Sequence, residues 1–404
     1  MLFLTPDLPY PPHQGAAIRT YNLMRALAPR HEIHLLSFAQ KAPHPDAQSV
    51  LQDLCRGLQI IPAPTRTAGR RALSVLGSPI PDLALRLPSE DYSDALLRTV
   101  ENDPPHVVQV EALEMAPYLF AVRQATHSTR QRRPRVLLDD INAEYVIQRR
   151  AFLADARQPS RWPAALYSLV QWRKLRRYEA RACRAADAVI AVSSQDATNL
   201  GKLEPDLPIT VVPNGVDTDH FRPGAGATDG SVVFTGKMDF RPNIDAVLWF
   251  FHHVWPSIKS RLPQARFRVV GRDPSSRLAP LSADAQVDIT GWVPDVRPYL
   301  RRAELCVVPL QVGGGTRLKV LEAMAMGKPV LSTSLGCEGL EVTEGEEVVL
   351  ADGPEAFAEA AVSLLGDPQR RRALGSAARS AVQERYRWSQ LAPRLEAVYE
   401  EAVI

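Results

Sequence analysis

Short, uninterrupted apolar runs alternate with helical patterns along most of the 404 residues. Within each run the apolar residues are continuous instead of alternating with polar ones, which indicates strands that are buried on both faces. Parallel sheets covered by helices bury their strands in this way. The predicted strands are Leu2–Thr5, Ile33–Phe38, Leu58–Pro62, Val107–Val110, Val136–Asp139, Ala188–Ser193, Ile209–Pro213, Val232–Gly236, Phe267–Gly271, Val287–Thr290, Leu305–Pro309 and Val330–Thr333.

The alternation occurs twice, with about half of the predicted strands on each side of a midpoint near residue 200. We therefore expect an α/β chain of two Rossmann-like, doubly wound parallel-sheet domains that face a cleft, with ligands at the carboxyl ends of the strands. The expected domains are residues 1–200, residues 201–380, and a C-terminal helix over residues 381–404 that packs across both.

Composition and charge exclude several classes of protein. A net charge of +3, from 48 basic and 45 acidic residues, is too small for a nucleic-acid-binding protein. The four cysteines lie far apart and form no CxxC pair, which argues against a disulfide framework or a zinc site and fits a reducing cytoplasm. The N-terminal MLFLTPDLPYPP lacks the basic region of a signal peptide, and no run approaches the ~20 apolar residues that span a membrane. We expect a cytoplasmic protein.

The stretch GGGTRLKVLEAMAMGKPV, residues 313–330, places three glycines between a predicted strand and a predicted helix. Thr316 is the predicted N-cap of this helix and Gly327 its predicted C′ residue. A helix N-terminus offers unpaired N–H groups and partial positive charge, and glycines allow a ligand to approach the backbone closely. These features predict a phosphate site, although an ordinary turn between strand and helix remains open.

Four charged side chains accompany this stretch. Lys319 and Glu322 are three residues apart and share a helix face, either as a surface ion pair or with Glu322 leaning toward a ligand in the loop, where it would accept ribose hydroxyl groups. Lys237 and Arg241 follow a predicted strand in FTGKMDFRPN, at a position where a parallel sheet presents residues to a ligand. Solvated loop charges are the alternative for this second pair.

Polar residues in the first half are candidate contacts for a second substrate. Gly15 precedes a helix in the loop PYPPHQGAAIRTYN, and DDINAEY ends a predicted strand with several polar groups. Turn and capping chemistry explains the second segment equally well. The triplet Asp217–Thr218–Asp219 resembles a metal-binding motif, but an Asx turn is the better interpretation, and no metal is expected.

Residues 161–184 show an amphipathic helical pattern. Leu166, Leu169, Trp172 and Leu175 form an apolar edge, and Arg173, Arg177, Arg181 and Arg184 form a basic stripe. This composition suits an anionic membrane surface that carries a lipid-linked acceptor. A core-packed helix with solvated arginines is the other interpretation.

The second half resembles the retaining nucleotide-sugar glycosyltransferases of family 4, which have the two-Rossmann GT-B fold. The matching segments are VVPNGVDTDHFRP (211–223), VVFTGKMDFRPNIDAV (232–247), VVG (269–271), ITGWVPDVRPYL (289–300), and the glycine-rich stretch followed by GCEGL (336–340). LPYPPHQGAAIRTYNLMRAL is similar to bacterial members linked to exopolysaccharide synthesis.

The resemblance implies roles for individual residues. Lys237 and Arg241 would neutralise the donor diphosphate, Glu322 would hold the donor ribose, and these three form the catalytic set. The candidate donor-binding residues are Gly15, Gly236, Lys237, Arg241, Trp292, Gly314, Gly315, Thr316, Arg317, Lys319 and Glu322. The acceptor candidates are His13, Glu111, Asp140, Asn142 and Glu144.

The sequence departs from the family pattern at two places. Gly314 stands where relatives usually have a glutamate that contacts the donor sugar, and Glu111 or Glu114 stands where many members have a histidine. The sugar-side contacts are therefore the part of the expected site that the resemblance does not supply.

These observations predict a metal-independent glycosyltransferase that needs no cofactor and moves a sugar from a nucleoside-diphosphate sugar to a hydroxyl acceptor with retention of configuration. The expected pathway is bacterial exopolysaccharide or glycolipid synthesis, with a saccharide or lipid-linked acceptor and peripheral association with the inner face of the cell membrane. Two alternatives remain open: a catalytically silent nucleotide-sugar-binding scaffold of a polysaccharide assembly, and a nucleotide-sugar epimerase of the same fold.

Overall fold

A computed structural model describes residues 1–13, 15–66, 77–127, 133–224, 228–313 and 317–403. Its contacts divide the chain into two compact units. The first unit comprises Met1–Pro213 together with Leu391–Ile404, and the second comprises Asn214–Gln390.

The first unit contains a parallel sheet of seven strands. The strands are β1 (Leu2–Thr5), β2 (His34–Ala39), β3 (Gly57–Pro62), β4 (Val107–Glu111), β5 (Arg135–Asp140), β6 (Ala188–Ala191) and β7 (Ile209–Val211). Their order is β3-β2-β1-β4-β5-β6-β7, so the chain winds outward from β1 in both directions. Such a switch point between β1 and β4 is where doubly wound sheets bind ligands.

Helices follow most of these strands. They are α1 (Gly15–Leu27), α2 (Ala47–Leu54), α3 (Glu90–Asn102), α4 (Ala116–His127), α5 (Glu144–Ala156), α6 (Trp162–Ala185) and α7 (Ser194–Gly201), with 3₁₀ turns at Leu83–Leu85, Leu113–Met115 and Pro159–Arg161. The hydroxyl groups of Ser89 and Ser193 cap α3 and α7 by accepting a backbone N–H three residues on, as serine N-caps do.

The second unit contains a parallel sheet of six strands. The strands are β8 (Ser231–Thr235), β9 (Arg266–Val270), β10 (Val287–Ile289), β11 (Leu305–Val308), β12 (Val330–Ser332) and β13 (Val349–Leu350), in the order β10-β9-β8-β11-β12-β13. The helices are α8 (Arg241–Trp249), a π-helical turn (Phe250–Val254), α9 (Trp255–Arg261), α10 (Arg297–Arg302), α11 (Leu318–Ala325), α12 (Pro354–Gly366) and α13 (Pro368–Arg385), with 3₁₀ segments at Ser276–Ala283 and Ser334–Cys337.

The last helix, α14, runs from Trp388 to Val403, and from Leu391 onward it belongs to the first unit. Leu391, Leu395, Val398 and Tyr399 are buried, so the apolar spacing read in the sequence does form a buried helix face. The packing of this helix across both units stays a prediction.

The predicted fold class, two doubly wound parallel sheets, is confirmed. Each predicted strand is present, with ends that differ by one or two residues. One strand was assigned to the wrong half: Ile209–Val211 pairs with β6 and is the edge strand of the first sheet. Strand β13 was not predicted, because its two residues are too few to form a recognisable apolar pattern.

Each unit has its own apolar core. In the first unit Phe38 and Tyr92 are stacked, with 4.2 Å between their ring centres. In the second unit the ring centres of Phe250 and Phe267 are 4.6 Å apart. Among the residues that the structure describes, no helix combines the length and the apolar character needed to cross a membrane.

Candidate active site

The carboxyl ends of β8 and β9 approach each other closely at two glycines. Gly236 and Gly271 both adopt φ of +155°, and a Cβ on Gly271 would lie only 1.7 Å from the carbonyl oxygen of Gly236. A Cβ on Gly236 would lie 2.8 Å from Lys319 Nζ and from Asn243 Nδ2. Only glycine fits both positions, and the consequence is that two polar side chains reach the backbone at the end of the central strand.

Helix α11 begins at Leu318, and Arg317 is its N-cap residue, with no hydrogen bond from its side chain to the cap. The predicted cap at Thr316 is therefore displaced by one residue, because the chain first turns helical after Arg317. Gly314, Gly315 and Thr316 lie outside the described residues. Gly313 has φ of +140°, and a Cβ there would lie 2.9 Å from Arg317 Nη2, so the guanidinium of this arginine lies close to Gly313.

The other end of α11 confirms the predicted C′ glycine. Gly327 has φ of +67°, its N–H donates to the carbonyl of Met324, and the N–H of Lys328 donates to that of Ala323. This is the Schellman arrangement, which ends the helix at a defined residue.

Lys319 lies on α11 and is half-buried. Its ammonium group donates to Asn243 Oδ1 at 2.8 Å and lies 4.0 Å from the centre of the Phe234 ring, on β8. Burial lowers the pKa of Lys319 to about 7; Arg317 adds to this effect and Glu322 opposes it. The lysine is thus held against the sheet by an amide and an aromatic face, where an added anion would strongly favour its charged form.

Glu322 follows one turn later on α11, half-buried between the buried Leu321 and Ala323. Burial raises the pKa of Glu322 to about 7, and Lys319 opposes the shift. The carboxylate and the ammonium group therefore both titrate close to neutrality. Pairs whose pKa values are displaced by burial in this way are typical of functional sites.

Asn243 is the residue of this cluster that sequence reasoning missed. It is the third residue of α8 and only 7% exposed, and its amide donates to the carbonyl of Lys237 at 2.9 Å while accepting from Lys319. Asn243 therefore ties the loop after β8 to α11. The available signal was its place in RPN at the start of a helix, shortly after the Gly236–Lys237 pair, where a short amide can bond a neighbouring backbone group.

The two cations that sequence analysis placed at the diphosphate lie beside the same loop. Lys237 Nζ is 3.1 Å from Asp239 Oδ2, and Arg241 Nε is 3.4 Å from Asp245 Oδ2. Both side chains are about two-fifths exposed, so these ion pairs are weak and exchange readily with another anion. Trp292, the remaining donor-binding candidate of this unit, is 69% exposed, an unusual position for a large aromatic side chain.

At the carboxyl ends of the strands in the first unit, the candidate side chain at the end of β4 is shielded from solvent. Glu111 ends β4 and is 1% exposed; it accepts from Thr20 Oγ1 at 3.1 Å and from Gln109 Nε2 at 2.6 Å. Burial raises the pKa of Glu111 to about 8, and Asp139 adds to the shift. An acceptor molecule does not reach this carboxyl group in the described structure, because Glu111 is enclosed by its own unit.

Arg19 explains how these carboxyl groups are tolerated. This α1 residue is fully buried, and its guanidinium donates to Asp139 Oδ2 at 2.9 Å and to the carbonyls of Val212 and Pro213 at 2.9 and 3.1 Å. Sequence analysis missed it because an arginine among the apolar positions of a helix is more often a snorkelling surface residue. Two candidates from the sequence lie at the N-terminal end of the same helix: the acceptor candidate His13 and the donor-binding candidate Gly15. Both are exposed.

The acceptor candidates after β5 divide into buried and accessible groups. Asp140 is 1% exposed, and burial, together with Glu179 and Glu144, holds its pKa well above the usual range. Asn142 and Glu144 are half-buried, with Asn142 Nδ2 3.4 Å from Glu144 Oε1. Burial raises the pKa of Glu144 to about 7, while the Arg86 guanidinium opposes the shift. Asn142 and Glu144 keep the access that Asp140 lacks.

The Asp217–Thr218–Asp219 triplet forms the predicted Asx turn. Asp217 Oδ1 accepts from the N–H groups of Asp219 and His220 at 3.0 and 2.9 Å. Within the described ranges, no three His, Cys, Asp or Glu side chains are grouped so that they could hold a metal ion.

The two doubly wound parallel sheets are the fold of the GT-B class of glycosyltransferases. A family description that reads "Glycosyltransferase Family 4" matches residues 13–220, and one that reads "Glycosyl transferases group 1" matches residues 229–367. The first alone covers more than half of the chain, and the chain belongs to glycosyltransferase family 4.

Known proteins are similar over different lengths. D-inositol 3-phosphate glycosyltransferase of Thermobispora bispora is 30% identical over 54% of this chain and 56% of its own length. The GDP-mannose-dependent alpha-(1-6)-phosphatidylinositol monomannoside mannosyltransferase of Mycobacterium tuberculosis is 28% identical over 52% and 60%. The chain thus spans about half the length of the curated relatives it matches. Sucrose-phosphate synthase from Thermosynechococcus elongatus has the same fold, with a TM-score of 0.72 at 20% identity over 99% of this chain and 98% of that one.

Proposed function

We propose that this chain transfers a sugar from a nucleoside-diphosphate sugar to a hydroxyl group, with retention of configuration and without a metal ion or other cofactor. The observation that carries the proposal is the cluster at the end of β8, where Lys319 lies against the glycine backbone, is bonded to Asn243 and interacts electrostatically with Glu322. Family membership supports it, and so does the name of one relative, which describes a GDP-mannose-dependent mannosyltransferase.

The chemistry assigns a task to each group. The bond between the sugar C1 and the diphosphate oxygen breaks, a bond from C1 to the acceptor oxygen forms on the same face, and the acceptor proton passes to the departing diphosphate. Lys237, Arg241 and Lys319 stabilise the negative charge that develops on the diphosphate, since such electrostatic stabilisation is usually the largest catalytic contribution. Glu322 accepts hydrogen bonds from the ribose hydroxyl groups and fixes the nucleotide.

The first test is a thermal-shift screen with UDP-glucose, GDP-mannose, ADP-glucose and TDP-glucose. A ligand at 100 times its dissociation constant stabilises the native state by about 2.7 kcal/mol, which gives a clear rise in Tm. Slow hydrolysis of the bound donor in the absence of acceptor identifies a transferase, whereas binding without hydrolysis identifies the scaffold alternative. No shift with any donor contradicts the proposal.

The second test removes the exposed cations. Lys237→Ala with Arg241→Ala should lower the transfer rate because the leaving diphosphate loses two neighbouring positive charges. The matched control is Arg370→Ala with Arg372→Ala, which removes the same charge from exposed positions on α13. Equal rates for the two double variants would count against the assigned roles.

The acceptor, in this proposal, is a lipid-linked or glycolipid molecule of bacterial surface polysaccharide synthesis. The mycobacterial relative is named as a mannosyltransferase of a phosphatidylinositol monomannoside, which is a glycolipid. In this chain, α6 exposes Trp162 and Leu166 by 62% and 63%, and Leu153 of α5 is 46% exposed. Apolar side chains beside several arginines are complementary to an anionic bilayer. The arginines exposed further along α6 are Arg173, Arg176, Arg177, Arg181 and Arg184.

The exposed apolar residues of α6 differ from the apolar edge that the sequence predicted. Leu175 is buried and Leu169 and Trp172 are not exposed, so only Leu166 of that edge is exposed. Two arginines of the basic stripe contact other residues of the same unit while remaining exposed: Arg181 lies 4.5 Å from the centre of the Phe120 ring, and Arg184 Nε is 2.6 Å from Glu204 Oε1. The proposed membrane surface is therefore the first half of α6 with the neighbouring part of α5.

Sedimentation with liposomes tests this surface. The chain should partition onto vesicles that contain phosphatidylglycerol and remain in solution with phosphatidylcholine alone. Trp162→Ser with Leu166→Ser should abolish the partitioning, whereas Ile80→Ser, an apolar residue of the same unit that is 37% exposed, should leave it unchanged. Equal partitioning onto both vesicle types would contradict the membrane assignment.

A further inference from the structure

The most specific geometry of the second unit is the link that Asn243 makes. One side-chain amide bonds both Lys319 Nζ, at 2.8 Å, and the Lys237 carbonyl, at 2.9 Å. These partners lie on α11 and on the loop after β8, which follow different strands of the sheet. Asn243 is buried and lies close against Gly236, where an added Cβ would be 2.8 Å from its Nδ2.

We propose that Asn243 is a positioning residue, which holds Lys319 beneath the glycine backbone as the buried cation that receives the donor diphosphate. This inference rests on the proposed function, since it names the group on which the donor's charge acts. Lys237 and Arg241 bind Asp239 and Asp245 near the surface, whereas Lys319 is held at the strand end by an uncharged amide and the Phe234 ring. An amide orients the ammonium group without supplying a counter-charge, so it does not compete with the ligand's negative charge.

The protonation of Lys319 gives this idea a direct signature. Because burial and Arg317 lower the pKa of Lys319 to about 7, most of the lysine is neutral at pH 8 in the free protein. A bound diphosphate favours the charged form, so donor binding should take up a proton. The charged or titratable groups acting on this ammonium group are Arg317 and Glu322, both from the α11 segment, while α8 and β8 contribute the amide and the ring.

Glu322 does not obscure the signal at this pH. Its pKa is raised only to about 7, so at pH 8 it is mostly ionised in the free protein, and hydrogen bonds from the ribose hydroxyl groups would favour that ionised form in the complex. A nucleoside-diphosphate sugar is itself a diester and has no phosphate group that titrates near neutrality. Proton uptake at pH 8 therefore reports on the protein's buried cation.

The experiment is isothermal titration calorimetry at pH 8 in two buffers of different ionisation enthalpy. The probe is whichever of UDP-glucose, GDP-mannose, ADP-glucose or TDP-glucose raises the Tm of the wild-type chain. Wild type should take up close to one proton per bound donor. Asn243→Asp keeps the shape but places a carboxylate beside Lys319, which charges the lysine in advance; uptake should fall toward zero and affinity should fall roughly 10-fold or more, because the new charge offsets the cation.

Two further variants keep the test independent of folding. Asn199→Asp makes the same change at an 8% exposed asparagine that accepts from Lys202 Nζ at 3.4 Å in the first unit, and both uptake and affinity should stay at wild-type values. Lys319→Met removes the titrating group and should abolish uptake while the circular dichroism spectrum stays native. A purely structural role for Asn243 would lower the Tm of Asn243→Asp and leave proton uptake intact.

The outcomes separate the two proposals. If none of the four donors binds the wild type, the proposed function fails. If a donor binds without proton uptake at pH 8, or if Asn243→Asp and Lys319→Met take up as many protons as wild type, the inference about Lys319 and Asn243 is wrong while the proposed function stands.

Discussion

The two units end their central strands in opposite ways. In the first, Arg19, Glu111 and Asp139 lie at the sheet edge almost without solvent exposure, and Arg19 donates to a carboxylate and two carbonyls. In the second, Lys319 and Glu322 are half-buried, and an amide and an aromatic ring hold the cation. The same kind of parallel edge thus holds charge inside the first unit, and in the proposed function it holds charge for a ligand in the second. The described contacts differ in that Arg19 is bonded to a carboxylate, whereas Lys319 is bonded to an amide.

The largest test of this contrast is Arg19→Met. Removing one partner of a buried ion pair leaves the other charge uncompensated, so the free energy of unfolding should fall by about 3–5 kcal/mol. Urea denaturation measures it. Arg56→Met is the control, because its pair with Glu32 is more than half exposed on both sides and should contribute at most ~1 kcal/mol. Equal losses for the two variants would mean that the buried network does not hold the first unit together.

The matching change in the second unit should affect activity instead of stability. Glu322→Gln retains the shape but weakens acceptance of ribose hydroxyl hydrogen bonds, each of which contributes about 1.5–3 kcal/mol when the acceptor is charged. We expect kcat/KM to fall roughly 10–100-fold, with little change in urea midpoint. Glu359→Gln, at a side chain that is 68% exposed, is the control. A destabilised protein with normal kcat/KM would place Glu322 with the structural charges.

The dependence of stability on pH should also differ between the units. In the native state burial keeps Glu111 and Glu179 protonated up to a pKa of about 8, whereas in the unfolded chain both carboxyl groups titrate at their ordinary pKa of 4.5. Their stabilisation is complete below pH 4.5 and is lost as the pH rises toward 8. Lys319 acts in the opposite direction: its pKa falls from 10.5 to about 7, so its effect on stability is lost as the pH falls through 7.

Urea denaturation at pH 6, 7 and 8 checks these signs. Each retained proton changes the free energy of unfolding by at most about 1.4 kcal/mol per pH unit. Glu111→Gln should flatten the decline between pH 6 and 8. Lys319→Met should steepen the net decline above pH 7, because it removes the rise that the lysine contributes there. A pH profile that neither variant alters would show that these protons are not retained as described.

The sequence predicted the fold well and the site unevenly, for a physical reason. Continuous apolar runs such as Val232–Gly236 and Leu305–Pro309 predict strands, because a strand that is buried on both faces needs apolar residues at successive positions. The resemblance to family 4 groups Lys237, Arg241 and Glu322 at the donor, and that grouping stays a prediction. Contacts between distant segments leave no such trace: neither the bond from Lys319 to Asn243 nor that from Arg19 to Pro213 has a local pattern. The same limit made Glu111 an acceptor candidate, since burial at a strand end depends on which helix covers it.

The smallest expected effect concerns the exposed rim of the second site. Asp239 binds Lys237 at 3.1 Å, and both side chains are nearly half exposed, so the pair holds the lysine only weakly. Asp239→Asn releases Lys237 and removes a negative charge near the proposed diphosphate, which should lower the donor KM about twofold, or ~0.4 kcal/mol, without changing the urea midpoint. Asp288→Asn is the control, since that carboxylate is 55% exposed and binds Arg268. A rise in KM for Asp239→Asn would mean that the carboxylate orients Lys237 toward the donor, which would extend the difference between the units to the rim: there, too, the second unit would use its acidic residues to position a cation.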